Sequence, residues 1–126
     1  MKHAGGCHCG QVRFEFEAPT EVELVDCNCS VCVMTGYQHL ILPRDKFTLL
    51  CSDDNLTLYQ FNQRIAKHYF CSNCGIKPFY IPRSNPDGIS INFRCVDRRQ
   101  FLRVSHRPFD GKNFEANASE LAHLSK

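Results

Sequence analysis

The chain lacks tryptophan, has only two methionines, and has no apolar run near the roughly 20 residues needed to cross a bilayer. A helical membrane-spanning protein is therefore excluded. Internal repeats, linkers and low-complexity tracts are also missing, which excludes solenoids and disordered arrays. Helical periodicity is scarce, limited to a turn near Val31–Thr35 and a C-terminal piece near Ser119–Leu124. The amino end, Met1-Lys2-His3-Ala4-Gly5-Gly6, lacks the apolar stretch of a secretory signal. The expected setting is thus the cytoplasm. There, paired thiols mean metal or redox chemistry more often than disulfides.

What remains is short and β-like. With 126 residues and 43 % hydrophobic side chains, the expectation is one domain over 1–126. Gln11–Glu17 alternates, with Val12, Phe14 and Phe16 on one face and Arg13, Glu15 and Glu17 on the other. Val22–Asp26, Gln38–Leu42, Phe47–Leu50, Leu56–Phe61, Lys67–Phe70, Phe79–Ile81, Ile89–Phe93 and Arg103–Arg107 read as further strands. Ser52-Asp53-Asp54-Asn55 and the stretch Pro82–Gly88 are rich in turn formers. The predicted fold class is mainly β with little helix.

Charge is unevenly spread. Residues 1–60 carry four basic and eight acidic side chains, whereas residues 61–126 carry eleven basic and five acidic. The arginines of the second half (Arg83, Arg94, Arg98, Arg99, Arg103 and Arg107) read either as a solvated face or as an anion-attracting rim. They form no dense run, and the pI is only about 8.1, so nucleic acid is a poor fit.

Seven of nine cysteines fall in three clusters: Cys7-His8-Cys9, Cys27-Asn28-Cys29-Ser30-Val31-Cys32 and Cys71-Ser72-Asn73-Cys74. The odd total argues against a fully paired disulfide framework. Zinc takes four thiolates in a closed structural site and three protein ligands in an open catalytic one. Cys71-x-x-Cys74 followed by Gly75 has the form of a zinc knuckle, and Cys7-x-Cys9 offers a second pair. Cys27, Cys29 and Cys32 offer three sulfurs in six residues. Their fourth partner could be His8, His39, His68, Cys51, Cys95, water or substrate. Spacing alone leaves a structural and a catalytic second zinc both standing. A redox or metal-buffering protein is a third reading of the thiol density. Cys51 and Cys95 sit in apolar runs and read as small buried hydrophobes.

Gly6-Cys7-His8-Cys9-Gly10, the triple-cysteine cluster and Phe70-Cys71-Ser72-Asn73-Cys74-Gly75, in that order, resemble the glutathione-dependent formaldehyde-activating enzyme (GFA) family. Phe79–Gly88 is similar to its centromere protein V branch. The resemblance spans roughly residues 3–115, with the tail Phe109-Asp110-Gly111-Lys112-Asn113-Phe114 placing Phe where relatives often have Trp. It implies a β-tent fold. It implies structural zinc on Cys7, Cys9, Cys71 and Cys74, and catalytic zinc on Cys27, Cys29 and Cys32. It further implies carbon–sulfur lyase activity, in which a thiol such as glutathione adds to formaldehyde or the adduct is cleaved. Arg83 and Arg94 are the candidates for gripping the carboxylates of such a substrate. The alternative is a non-catalytic two-zinc module that contacts nucleic acid or protein.

Overall fold

The structure, a computed structural model, describes residues 1–61 and 63–126. The strands are β1 (Lys2–Gly6), β2 (Arg13–Glu17), β3 (Glu21–Cys27), β4 (His39–Pro43), β5 (Phe47–Leu49), β6 (Leu56–Tyr59), β7 (Lys67–Cys71), β8 (Phe79–Ile81), β9 (Gly88–Asn92) and β10 (Arg103–Phe109). Helix α1 (Ser30–Thr35) follows β3, and α2 (Phe114–Asn117) opens a C-terminal run of 3-10 turns. The fold is mainly β, as the alternating patterns require. Among the described residues no helix is long and apolar enough to cross a membrane.

Nine of these strands lie where the sequence places them, within a residue or two at their ends; β1 does not. Lys-His-Ala-Gly-Gly has no apolar alternation to read. It is a strand because β2 pairs with it antiparallel, from Lys2↔Glu17 to Gly6↔Arg13. Gly5 is required there, since a Cβ would stand 2.7 Å from the Phe14 ring and from the Cys95 carbonyl.

Two sheets result, β1-β2-β5 and β10-β3-β4-β9-β8-β7-β6. All neighbours are antiparallel except β10 and β3, which run parallel with Phe109 opposite Cys27. The smaller sheet buries Phe14 and Phe16 against Leu24, Leu40, Phe79, Ile89 and Ile91 of the larger one. Each such side chain contributes about 1.5–3 kcal/mol of burial.

The opposite face of the large sheet positions the site. Because side chains alternate, Cys27, His39, Ile41, Ser90, Tyr80 and His68 share it. The register aligns them as a row, with Val25↔His39, Ile41↔Ser90, Tyr80↔Ser90 and His68↔Tyr80. The C-terminal segment covers one end of that row, packing Leu121 with Val25, Ile41 and Phe109. Asn85, wholly buried, anchors it by donating to the Leu121 carbonyl at 2.8 Å and to Ser125 Oγ at 3.0 Å. The turn-rich stretch after β8 is thus a clasp for the carboxyl end.

Candidate metal centres and active site

The turn between β1 and β2 supplies Cys7 and Cys9, and the end of β7 with its following turn supplies Cys71 and Cys74. Their four sulfurs lie within 4.8 Å of one another. Cys9 Sγ is 3.6 Å from both Cys7 Sγ and Cys71 Sγ. A tetrahedral ion with Zn–S bonds near 2.3 Å needs edges of about 3.8 Å, so the group already has the right size. Backbone amides point at the sulfurs: Val12 N–H donates to Cys7 Sγ at 3.3 Å, and Asn73 and Cys74 N–H donate to Cys71 Sγ at 3.4 and 3.5 Å. Backbone N–H groups of Ile76 and Cys9 hold the Cys74 thiol down at about 6, favouring the ligating thiolate. Gly10 (φ +86°) and Gly75 (φ +78°) turn the chain just after each pair.

Cys27 closes β3, Cys29 caps α1 and Cys32 lies within it. Their three sulfurs also lie within 4.8 Å, and among the described residues no further Cys, His, Asp or Glu joins the group. Cys29 Sγ sits 2.9 Å from Cys32 Sγ, closer than a tetrahedral edge. Hydrogen bonds from Cys27 and Cys32 hold the Cys29 thiol at about 2, while Cys27, Cys29 and burial push Cys32 far up. Three crowded sulfurs cannot all ionise together without a cation, and a divalent thiophilic metal is the group that would let them. Both donor sets are compatible with Zn²⁺.

The loop after β10 holds this cluster from outside. Asn28 Nδ2 donates to Asp110 Oδ1 at 3.0 Å, and Lys112 N–H donates to Asn28 Oδ1 at 3.0 Å. Gly111 lies directly on Cys27, where a Cβ would collide with Cys27 Sγ and crowd Cys29 Cβ. From inside, His39 Nε2 lies 3.2 Å from Cys32 Sγ, and its Nδ1 lies 3.0 Å from Ser90 Oγ and 3.2 Å from Tyr80 OH. Burial pushes His39 down to about 3, so the ring is neutral. One nitrogen can then donate to the sulfur while the other accepts from a hydroxyl. His39 contacts the Cys32 sulfur and does not itself join the three-sulfur group.

The three sulfurs form part of the floor of a cavity of about 580 Å³. His39, His68 and Tyr80 continue the floor; Phe61, Ile65, Phe114 and Leu121 supply apolar wall; Arg64, Arg83 and Lys112 supply positive charge. Arg83 pairs with Glu115 at 2.9 Å and stacks 3.7 Å over the Phe114 ring. Arg94 is elsewhere: its Nε donates to the Gly36 carbonyl at 2.6 Å, closing the end of α1. Of the two arginines expected at the substrate, only Arg83 lines the cavity. Cys51 packs against the core, and Cys95 faces the Lys77 carbonyl at 3.9 Å with its thiol pushed up to about 11 by burial. Both lie apart from the ligand groups, as do His8 and His68.

Sequence reasoning passed over Tyr37, Lys77, Tyr80 and Ser90. Tyr80 and Ser90 were legible in principle, as the alternate positions of β8 and β9. Lys77 carried no signal, because its surroundings are assembled by the fold: Tyr37 and His68 come from other segments and Tyr80 from the strand that follows.

The sequence profile of the family described as glutathione-dependent formaldehyde-activating enzyme matches residues 2–110. A crystal structure of a Rhodobacter sphaeroides protein superposes with a TM-score of 0.70 at 35 % identity, covering 85 % of this chain and 100 % of that one.

Proposed function

The chain belongs to the glutathione-dependent formaldehyde-activating enzyme family, and on that premise we propose that Cys27, Cys29 and Cys32 form the metal-dependent active site of a carbon–sulfur lyase. The reaction is addition of a thiol, glutathione or a similar one, to formaldehyde or a related carbonyl, or cleavage of such an adduct. Cys7, Cys9, Cys71 and Cys74 hold a structural zinc, and residues 1–126 act as one domain. A cytoplasmic, reducing setting fits this reading because it keeps all seven thiols available.

One observation carries the proposal: a three-sulfur group with no fourth protein ligand among the described residues, opening onto a cavity of about 580 Å³. Zn²⁺ bound there would supply a position at which a substrate thiol is held deprotonated at neutral pH. The protein's own part is arrangement. His39 steadies the Cys32 sulfur, as partners behind a ligand do. The apolar wall formed by Phe61, Ile65, Phe114 and Leu121 limits water around the reacting atoms. Arg64 and Lys112 give the cavity a positive potential suited to a carboxylate-bearing thiol. Arg83 can grip such a carboxylate if Glu115 releases it. A nucleic-acid module gains little support, since Arg83, Arg99 and Arg107 are each paired with an acidic side chain.

The test is Cys29→Ser. The zinc content should fall by one per chain, and ligation of glutathione or another thiol to ¹³C-formaldehyde, followed by NMR, should stop. Full turnover in a variant whose three-cysteine site is empty defeats the proposal.

A further inference from the structure

We propose that His68 and Lys77 form a proton-delivering pair for the carbonyl oxygen of the substrate, with His68 the catalytic donor and Lys77 the residue that positions and recharges it. This rests on the reading of the cavity as a carbon–sulfur site. His68 lines the same cavity as the three sulfurs. Its ring is clamped between Tyr80, stacked at 4.8 Å and 7°, and Phe61, stacked at 5.3 Å and 25°. Lys77 Nζ lies 2.6 Å from His68 Nδ1. An ammonium there can only donate, so Nδ1 must accept. The tautomer is thereby fixed, and Nε2–H is the donor left for a ligand.

Lys77 is buried, yet no carboxylate pairs with it among the described residues. The Tyr80 and Tyr37 rings lie under the ammonium, 4.1 and 4.7 Å away. Such faces favour a cation without neutralising it. A buried lysine with no acid to satisfy, directed at an imidazole nitrogen, is poorly explained as a structural salt bridge. It is well explained as a proton source. Burial lowers it to about 8, near the pH at which a proton must be given and regained.

The step balances. The substrate thiol loses its proton to solvent and its sulfur forms a bond to the carbonyl carbon. The C=O π pair becomes an alkoxide pair, which takes the proton from His68 Nε2. His68 Nδ1 takes a proton from Lys77 Nζ, and the cycle closes when solvent protonates Nε2 and Nδ1 returns its proton to the Lys77 amine, restoring the Nε2–H tautomer beside an ammonium. Adduct cleavage runs the same transfers backwards. The groups facing Lys77 are His68 on β7, Tyr80 on β8, Tyr37 after α1 and His39 on β4, with the Cys27, Cys29 and Cys32 sulfurs favouring its charged form.

The experiment uses metal-loaded protein, ¹⁵N-histidine NMR and pH–rate profiles with glutathione and formaldehyde. In the wild type His68 should be the neutral Nε2–H tautomer, and kcat for addition should fall as pH rises through about 8. Lys77→Met should release the tautomer, lower kcat by about 100-fold with KM little changed, and remove the alkaline fall. Lys77→Arg, which stays charged, should keep the tautomer and also lose the alkaline fall. A wild-type Nδ1–H tautomer, or a Lys77→Met profile that matches the wild type in kcat and pH dependence, overturns the pair alone. A metal-loaded wild type with no turnover on any thiol–carbonyl couple overturns the reaction reading and the pair with it, even if the tautomer is as expected.

Discussion

Cys7, Cys9, Cys71 and Cys74 come from two turns, with Cys9 and Cys71 separated by 62 positions, whereas Cys27, Cys29 and Cys32 come from one six-residue stretch. The ligand atom is the same in both. The first group ties the amino end of the chain to its middle, and backbone amides from both turns surround the sulfurs. The second group closes no long loop. It stands at the ends of two parallel strands, β3 and β10, and depends on neighbours: Asn28, Gly111 and His39. Its Cys29–Cys32 edge of 2.9 Å must open for a metal, whereas the 3.6 Å edges of the first group need almost no change. With metal bound as proposed, four sulfurs from distant turns would stabilise the fold, while three from one short stretch would leave both the metal and the nearby backbone free to respond to a substrate.

The largest expected difference is in stability. Losing the long cross-link through Cys71→Ser should cost about 3–5 kcal/mol, by analogy with a covalent bridge over a loop of that length. Cys29→Ser should cost only about 1 kcal/mol, since it severs no long-range tie. Thermal unfolding of the two metal-loaded variants measures this. Equal losses would erase the distinction between a metal that holds the fold and one that serves the cavity.

Metal retention sharpens the contrast further. Gly111→Val places a side chain onto Cys27 Sγ while leaving the other group untouched. Zinc affinity at the three-cysteine site should fall by about 10–100-fold, the usual range when a supporting contact is lost. Chelator competition followed by a metal count should show one zinc released readily and one retained. Asn28→Ala is the milder version. It removes two exposed hydrogen bonds, to Asp110 and from Lys112, and should cost about 1 kcal/mol of loop stability, read as faster zinc release. Two zincs lost together in either variant would mean that the sites are coupled.

How much of this the sequence carried follows from the range of each signal. Cysteine spacing is local chemistry, so both sulfur groups could be read from it. Alternation in Gln11–Glu17 is local too, and β2 lies inside that stretch with Phe14 and Phe16 buried. The strand β1 was not legible, because Gly5 serves the Phe14 ring and the Cys95 carbonyl, and Gly6 serves the Val12 carbonyl and the Arg13 side chain, contacts that exist only once β1 pairs. Arg94 and Arg83 look equivalent as sequence, yet one closes α1 through Gly36 and the other lines the cavity. Lys77 is the clearest case. Nothing beside Ile76 and Pro78 predicts a buried ammonium, since its partners His68, Tyr80 and Tyr37 lie on three other segments.

The smallest effect concerns the two ways glycine serves these groups. Gly111 is needed for space, whereas Gly75 is needed for backbone angle: its φ is +78° and a Cβ there would meet nothing within 4 Å. Gly75→Ala should therefore cost only the left-handed strain of an L-residue, about 1–2 kcal/mol. Stiffening of the unfolded chain offsets about 0.4–1 kcal/mol of that. Gly75→Asn should cost less still, because asparagine tolerates this region. Turnover should be unchanged in both, since the strain falls on the group away from the cavity. Chemical denaturation at fixed zinc activity gives the stability change. A loss beyond about 2 kcal/mol would mean that the turn's angle fixes the sulfur positions and that the closed group is less preformed than its 3.6 Å edges indicate.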